Sequence, residues 1–506
     1  MIQITCKRNK FTYNVYHITK AFFPAEEIQQ KVDEKQEPLV VLTLPGGSCF
    51  SLAEEELAES GNPAFSGSGT LTLEERAQEE KREVTRRIYR FLSEAAGRGL
   101  AWGTLTGVRP TKLATRMLEQ GKSKKEITQF LQEEYFVSEE KVELSYAVAL
   151  RENALLSRMN PRGGFSLYVG IPFCPSVCSY CSFSSSPIDQ WRDQVDAYLD
   201  ALVRELEELG RLAAGWGPDA VYIGGGTPTV LEPGQLRRVL EAVTGSFDLG
   251  GTLEFTVEAG RPDSITEEKL AVLKEFPVTR ISINPQTMQQ KTLDLVGRRH
   301  TPDDVREAFA LARSLGFDNI NMDLIAGLPG ETVADMQDTL RQIEAMRPDS
   351  LTVHSLAIKR AARFGQEGRT MDLHTDISRM VDDAADSAAR MGLAPYYLYR
   401  QKNIAGNFEN VGYAELDKAG IYNILIMEEK QTILGAGAGA STKILLKDPV
   451  RTEQGKQIDI VHVENVKNIL EYISRVDEMT ERKRRARFPA CLGNTAEEMR
   501  GEQLWH

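Results

Sequence analysis

Residues 168–183 read Tyr-Val-Gly-Ile-Pro-Phe-Cys-Pro-Ser-Val-Cys-Ser-Tyr-Cys-Ser-Phe, and this stretch decides the fold. It holds three of the six cysteines, Cys174, Cys178 and Cys181, with the spacing Cys-x3-Cys-x2-Cys. The apolar, β-prone run 165–171 predicts a strand that Pro172 ends, so the cysteines are expected on a loop after its carboxyl end. Three thiolates on one short loop can hold three irons of a 4Fe–4S cluster and leave the fourth iron open for chemistry.

Zinc binding and disulfide formation suit the cysteine loop less well. A structural zinc site needs four ligands, and no fourth Cys or His lies nearby in the sequence. Disulfides need an oxidising compartment, whereas the N-terminus lacks the apolar segment and cleavage site of a secretory signal. Three chance core cysteines do not suit a loop rich in Pro and Ser. The scattered Cys6, Cys49 and Cys491 are expected to be buried or inert thiols.

Length and composition indicate an ordinary globular protein. The 506 residues predict two to four domains, and 41% hydrophobic with 26% charged residues is a typical composition. The net charge of −12 argues against general nucleic-acid binding. No run approaches the roughly 18 apolar residues that a membrane span needs, so a cytoplasmic protein without a membrane span is expected.

Residues 1–160 are predicted to form an α+β domain of unknown role. Strands are expected at 11–18 and 38–44, and 60–70 reads as loop. Helices are expected from Thr72 to the glycines at 97 and 99, and at 110–119, 124–134 and 139–158. A substrate lid, a partner contact and an RNA contact all remain open for this region. Arg109 and Lys112 suit a carboxylate-rich ligand or, equally simply, a solvated helix end.

Residues 161–360 alternate strand and helix signals. Strands are predicted at 165–171, 219–223, 253–257, 280–283, 319–324 and 350–353, and helices at 195–213, 233–243, 266–274, 287–296, 302–315 and 333–346. Alternation of this kind predicts a parallel sheet wrapped by helices, as a partial or full βα barrel. Chemistry in such barrels lies at the carboxyl ends of the strands.

Glycine and polar residues do lie at or just past those predicted strand ends. They are Gly224-Gly225-Gly226-Thr227, Glu258, Asn284-Pro285-Gln286 with Arg298 twelve residues later, Asp323, and His354-Ser355. Consecutive glycines let a backbone approach a ligand closely, although a tight turn alone also explains them. A carboxylate that closes an apolar strand, such as Glu258, needs a partner.

Residues 361–506 are predicted to form a C-terminal domain, with a long helix at 369–391. An aromatic, basic segment at 396–403 and a Gly/Ala-rich turn at 435–443 follow. Its aromatic faces with Arg400, Lys402 and Lys443 suit a flat macrocycle bearing carboxylates, or simply a packed β-cap with basic edges. The basic tail from Glu481 is expected to be a solvated helix face.

The cysteine loop, with Tyr180 before its last cysteine, resembles that of the radical S-adenosylmethionine (SAM) superfamily. The segment before the cysteines, Tyr-x-x-Ile-Pro-Phe-Cys at 168–174, is similar to the corresponding segment of the oxygen-independent coproporphyrinogen III oxidase-like family. This family includes haem-chaperone relatives. The order of segments after the barrel looks most like the HemZ-type subgroup. The resemblance implies an α/β protein: a radical SAM partial (βα)6 barrel with an N-terminal α+β domain and a C-terminal α+β extension.

The same resemblance implies roles for individual residues. Cys174, Cys178 and Cys181 would bind the 4Fe–4S cluster and serve catalysis. SAM or a second cofactor would be contacted by Tyr168, Phe183, Gly224, Gly225, Gly226, Thr227, Glu258, Gln286, Arg298 and Asp323. The chain differs from coproporphyrinogen oxidases at Gly170, where these commonly have His, and at Phe183, where they commonly have a further cysteine; both differences concern the second SAM and the substrate geometry.

The implied activity is oxidative decarboxylation of two coproporphyrinogen III propionates to vinyl groups, giving protoporphyrinogen IX for haem biosynthesis. Its radical would come from reductive cleavage of SAM at the cluster. The partners implied are a porphyrinogen substrate and an electron donor such as flavodoxin or ferredoxin. Two alternatives stay open: a haem-binding chaperone that does not decarboxylate, and a radical SAM enzyme that acts on haem itself.

Overall fold

The computed structural model describes residues 1–58, 72–159, 164–356, 362–366, 376–400, 408–451 and 457–486. The chain divides into an N-terminal unit, Met1–Leu150 with Tyr399–Glu409, and a C-terminal unit, Arg151–Leu398 with Asn410–His506. The domain boundaries near residues 160 and 360 remain predictions, because 160–163 and 357–361 lie outside the described residues. All of the predicted loop at 60–70 lies outside them too.

The N-terminal unit contains a four-stranded sheet with helices. The strands are β1 (Ile2–Cys6), β2 (Ile28–Val32), β3 (Val40–Thr43) and β4 (Cys49–Leu52), in the order β2-β1-β3-β4. The helices that precede the first strand of the C-terminal unit are α1 (Asn9–Phe22), α2 (Glu54–Ala58), α3 (Leu73–Ala96), α4 (Lys112–Glu119), α5 (Lys124–Tyr135) and α6 (Glu139–Leu156). The predictions of α3 to α6 are confirmed.

Local sequence explains where these helices begin and end. Thr72 and Glu75 form a reciprocal capping box at the start of α3, and Gly97 ends that helix with a left-handed φ of 62°. Ser123 and Glu126 form the same box at the start of α5. Such caps satisfy amide groups that a helix end leaves unpaired.

The prediction of a strand at residues 11–18 is wrong, because the segment lies within helix α1. Its aromatic and β-branched residues favour a strand by composition. The buried side chains are instead Phe11, Val15, Ile18 and Phe22, which recur every three or four residues. That period is helical and lets one face of α1 pack against the sheet.

The C-terminal unit contains the predicted array of strands and helices. Its strands are β5 (Phe165–Ile171), β6 (Phe173–Cys174), β7 (Ser186–Pro187), β8 (Pro218–Gly225), β9 (Glu254–Gly260), β10 (Arg280–Ile283), β11 (Ile320–Ala326), β12 (Ser350–Ser355), β13 (Ala394–Arg400), β14 (Glu409–Ala414), β15 (Thr432–Ala436), β16 (Ser441–Arg451) and β17 (Gln457–Glu464). Its helices are α7 (Val195–Leu212), α8 (Pro233–Ser246), α9 (Glu267–Lys274), α10 (Gln290–Val296), α11 (Pro302–Ser314), α12 (Val333–Met346), α13 (Arg363–Gln366), α14 (Ile377–Arg390), α15 (Ile421–Glu428), α16 (Ile469–Ser474) and α17 (Val476–Arg485).

Six of these strands form the predicted parallel core, in the order β5-β8-β9-β10-β11-β12. Helices α7 to α12 connect them, as expected for a partial (βα)6 barrel. The strands are buried almost continuously, which is typical of a sheet covered on both faces. Their carboxyl ends therefore share one edge, next to the loop that carries the cysteines.

Residues beyond the barrel extend both edges of this sheet. At one edge β15 pairs in parallel with β5, and β16 and β17 follow as antiparallel strands. At the other edge β14 pairs antiparallel with β12, and β13 lies outside it. The described residues thus form an eleven-stranded sheet in this unit. The predicted helix at 369–391 is present as α14, and residues 367–375 lie outside the described residues.

The described part of the basic tail, residues 481–486, lies at the end of helix α17, and it is not wholly solvated; residues 487–506 lie outside the described residues. Lys483 is only 1% exposed and forms an ion pair with Glu205 of α7. Its helical phase explains this, because Val476, Met479 and Lys483 follow one another at intervals of three and four residues on the buried face. In the described residues no helix has the length and apolar character needed to cross a membrane.

Arg400, for which a macrocycle contact and a packed β-cap were both open, is also buried. Its Nε and Nη2 atoms donate to the carbonyl of Gly107, and Nη2 donates to the carbonyl of Leu105 as well. The guanidinium lies 5.5 Å from the ring centroid of Trp102. The guanidinium of Arg400 therefore binds backbone carbonyls inside the N-terminal unit. Lys402 lies outside the described residues.

Candidate functional site

The cysteine loop leaves β5 at Pro172 and returns at Ser186. Its two ends are held together by the short parallel pair β6 and β7 and by the amide of Ser186, which donates to Pro172 O at 2.8 Å. All three thiols are free; Cys178 is buried, whereas Cys174 and Cys181 are partly exposed. Burial raises the pKa of Cys174, and it raises that of Cys181 to about 11.

The loop is anchored on the segment that follows α10. The amide of Ser179 donates to Val296 O at 3.0 Å, and Ser176 Oγ donates to Gly297 O at 2.9 Å. Arg363 adds a hydrogen bond to Ser179 Oγ at 2.5 Å. These bonds fix the loop against the segment that carries Arg298, so the geometry of the thiols depends on two distant parts of the sequence.

Donor groups approach the sulfur atoms from two strand ends and from the segment after α10. Arg261 Nη1 lies 3.6 Å from Cys178 Sγ, and Arg298 Nη1 lies 3.8 Å from the same atom. Thr227 Oγ1 lies 3.5 Å from Cys174 Sγ. Arg298 and Thr227 were predicted from the sequence as cofactor contacts and not as donors to sulfur. Arg261 was not assigned, although an arginine directly after the β9 strand end was a usable signal.

The glycine segment at the end of β8 lies against the cysteine loop. The amides of Gly226 and Thr227 donate to Ile171 O and Phe173 O, both at 2.7 Å. A Cβ atom on Gly226 would lie 2.4 Å from Phe173 O, and one on Gly225 would lie 2.7 Å from Tyr168 Oη. The backbones can approach this closely only because these positions are glycine.

The carboxyl of Glu258 lies in the interior of the barrel. Tyr222 Oη donates a hydrogen bond to it. Burial raises the pKa of Glu258 to about 7, although the hydrogen bond from Tyr222 opposes this effect. A carboxyl of this kind exchanges a proton near neutral pH.

Asp323 and Gln286 lie next to Glu258 and are joined through their backbones. The Gln286 amide donates to Asp323 O, and Gln286 O accepts from the Ile325 amide, both at 2.9 Å. Burial alone would raise the pKa of Asp323, but His354, Asn321 and the charge of Arg280 lower it. Gln286 has a φ of 67°, unusual for a residue other than glycine, and such backbones occur often at functional sites.

Two predicted site residues lie at the margins of this cluster. The Tyr168 ring lies in a near-parallel group with Tyr222 and Tyr422, whose own ring centroids are 4.6 Å apart. Neither Tyr222 nor Tyr422 was assigned to the site from the sequence, because the three rings come together only when β5, β8 and α15 pack. The Phe183 ring is 73% exposed, and its assignment to a cofactor stays a prediction.

Comparison with known proteins places this geometry in a family. The radical SAM superfamily profile matches residues 168–343. The chain is 36% identical over 486 residues to the oxygen-independent coproporphyrinogen-III oxidase-like protein HemZ of Bacillus subtilis (strain 168), across 92% of this chain and 93% of HemZ. The chain belongs to the HemZ-like family of radical SAM proteins.

Further relatives of this HemZ-like protein match a smaller part of it. Heme chaperone HemW of Bacillus subtilis (strain 168) is 37% identical over 197 residues, which cover 38% of this chain and 51% of HemW. The solved coproporphyrinogen III oxidase (HemN) of Escherichia coli has a TM-score of 0.50 at 22% identity, across 67% of this chain and 77% of HemN. This structural likeness supports the radical SAM fold.

The family implies a 4Fe–4S cluster and SAM, and the residues present fit both. Among the described side chains, no group of three His, Cys, Asp or Glu could hold a single metal ion. A 4Fe–4S cluster does not need such a group, because each thiolate binds a different iron. Gln286 Oε1 and Arg298 Nε are buried polar atoms with no partner in the described part of the chain. An acceptor and a donor left unpaired in this way suit a polar ligand such as SAM.

Proposed function

We propose that this HemZ-like protein is a radical SAM enzyme that converts coproporphyrinogen III to protoporphyrinogen IX. The observation that carries the proposal is the extent of the likeness to the coproporphyrinogen-III oxidase-like protein HemZ, 36% identity across 92% of the chain. A match to the barrel alone would support only the shared radical chemistry. Each of two propionate side chains would lose a hydrogen atom to the SAM-derived radical, one electron to a one-electron acceptor, and CO2, and would become a vinyl group.

Cys174, Cys178 and Cys181 would hold the cluster, because these three free thiols share one anchored loop. When bound, the cluster and SAM supply a group that removes a hydrogen atom from carbon. The electron for this chemistry would come from a low-potential protein such as flavodoxin or ferredoxin.

The residues at the strand ends would bind and orient SAM. The backbone of 224–227 would approach its amino acid part, and Arg298 Nε would donate to its carboxylate. Gln286 Oε1 would accept a hydrogen bond, while Glu258 and Asp323 would bind hydroxyl or amino groups. Tyr168 and Phe183 would contact the cofactors from the side of the cysteine loop.

An anaerobic assay tests the proposal. The cluster is reconstituted in the full chain, and dithionite, SAM and coproporphyrinogen III are added before 5′-deoxyadenosine and porphyrins are quantified. We expect protoporphyrinogen to form in step with 5′-deoxyadenosine, and both to be lost in Cys178→Ala. The matched control is Cys49→Ala, which removes an exposed thiol outside the loop and should leave both products unchanged.

A second candidate is haem binding without decarboxylation. The observation that favours it is the 37% identity of part of the chain to heme chaperone HemW. Haem added to the cluster-loaded protein would then give a shifted Soret band and tight binding, with no change in coproporphyrinogen. Consumption of haem together with SAM would instead indicate an enzyme that acts on haem.

A further inference from the structure

The sulfur of Cys178 has two guanidinium groups within hydrogen-bonding distance. Arg261 Nη1 and Arg298 Nη1 lie 3.6 Å and 3.8 Å from Cys178 Sγ. The side chain that approaches Cys174 most directly is the neutral hydroxyl of Thr227. Positive charge is therefore concentrated at one corner of the cysteine loop.

Arg261 is built into this position. It is 3% exposed, and its Nε and Nη2 atoms donate to the two carboxylate oxygens of Asp263 at 2.9 and 2.8 Å. This fork leaves Nη1 directed at the loop, where it also donates to Ser176 Oγ at 3.1 Å and Ser176 O at 3.3 Å. A bidentate pair of this kind fixes the plane of the guanidinium and hence its distance to the sulfur.

Arg298 has a different set of partners. Its Nη1 donates to Tyr180 Oη at 3.1 Å, and its Nη2 donates to Asn284 O. The two arginines therefore reach Cys178 from different segments, Arg261 from the end of β9 and Arg298 from the segment after α10, and they have different partners. Of the two, only Arg261 is held by a carboxylate fork, so its position does not depend on a bound ligand.

We propose that Arg261 is a positioning residue that raises the reduction potential of the cluster by donating to the Cys178 thiolate. Reduction adds one electron, and so one negative charge, to a cluster that already carries thiolate ligands. A buried positive charge next to a ligand sulfur stabilises the reduced form more than the oxidised form. Hydrogen bonds to ligand sulfur act in the same direction. The effect would let a weaker one-electron donor reduce the cluster.

The test is a redox titration of the reconstituted full chain, monitored by the electron paramagnetic resonance signal of the reduced cluster. This inference rests on the cluster of the proposed function. In Arg261→Gln we expect at least tenfold less reduced cluster at a fixed potential, a shift of about 59 mV to more negative values. Arg261→Lys keeps the charge and should lie between Arg261→Gln and the unchanged protein.

Asp263→Asn provides a change of the opposite sign. It removes the negative charge that offsets Arg261 while keeping an oxygen acceptor for the guanidinium, so the potential should rise. Arg237→Gln, which removes an exposed arginine paired with Glu275 on the outside of the barrel, is the matched control and should leave the potential unchanged.

The outcomes separate the two proposals. Iron content and visible absorbance of the unchanged protein report on the cluster itself, and their absence would overturn the proposed function together with this inference. A cluster that binds in every variant with one common potential would overturn only the role of Arg261. If Arg261→Gln fails to retain its irons, the opposite shifts expected for Arg261→Lys and Asp263→Asn decide the matter.

Discussion

At the scale of single residues, Glu258 has a partly buried side chain, and desolvation of its carboxyl raises the pKa from 4.5 to about 7. Between these two values the folded protein binds more protons at this group than the unfolded chain does. Stability therefore falls as pH rises through this window, by about 3 kcal/mol in total. We expect Glu258→Gln to unfold at higher urea concentration than the unchanged protein at pH 8, and at a similar concentration at pH 4.5.

The matched control for this prediction is Glu241→Gln, which changes an exposed carboxyl on α8. Its unfolding midpoint should follow that of the unchanged protein at both pH values. A Glu258→Gln midpoint that differs by the same amount at pH 4.5 and pH 8 would show that Glu258 is not protonated in the folded protein near neutrality.

At the scale of elements, the contact between the end of β8 and the cysteine loop depends on Gly226. A Cβ atom there would lie 2.4 Å from Phe173 O and 2.7 Å from Ile171 O, which are backbone atoms and cannot turn aside. Overpacking of this kind costs about 1–3 kcal/mol. We expect Gly226→Ala to displace the loop and to retain less iron per chain after reconstitution, as measured by iron and sulfide analysis.

Gly234, in the first turn of α8, is the matched control. A Cβ atom there meets nothing within 4 Å, so Gly234→Ala should keep the full iron content and the melting temperature. Equal iron content in Gly226→Ala and Gly234→Ala would mean that the loop can move away from β8 without losing its geometry.

At the scale of the whole C-terminal unit, a buried ion pair joins α17 to α7 and to the turn after β15. Glu205 pairs with Lys483 and accepts from the Gly437 amide at 2.8 Å and from Tyr472 Oη at 2.6 Å. Loss of one partner leaves an uncompensated buried charge, which costs about 3–5 kcal/mol. We expect Lys483→Ala to lower the melting temperature of this unit, as measured by calorimetry.

The neighbouring pair tests whether burial is the cause. Arg484 pairs with Glu208, but its side chain is 51% exposed, so Arg484→Ala should change stability by about 1 kcal/mol or less. A double variant, Glu205→Gln with Lys483→Met, should recover part of the loss, since it removes both charges and keeps an oxygen acceptor for the Gly437 amide and Tyr472 Oη. Similar losses in Lys483→Ala and Arg484→Ala would contradict the role of burial.

Prediction from sequence worked best where the signal was local. The six barrel strands and the helices between them lie within a few residues of their predicted bounds, because apolar runs and glycine or proline breaks mark each of them. It failed at residues 11–18, where composition favoured a strand and the spacing of Phe11, Val15 and Ile18 was helical. The helix forms because the spacing of the apolar residues, and not their composition, determines which face of the segment can be buried.

By itself, the sequence determined the order of strands and helices, the position of the cysteine loop after β5, and the polar residues at the strand ends. Each of these depends on neighbours in the chain. Only the tertiary structure decided that β15 pairs with β5, that Arg261 faces Cys178, and that Lys483 is buried against Glu205. These contacts join residues far apart in the chain, so their energy depends on how the elements pack and leaves no local pattern in the sequence.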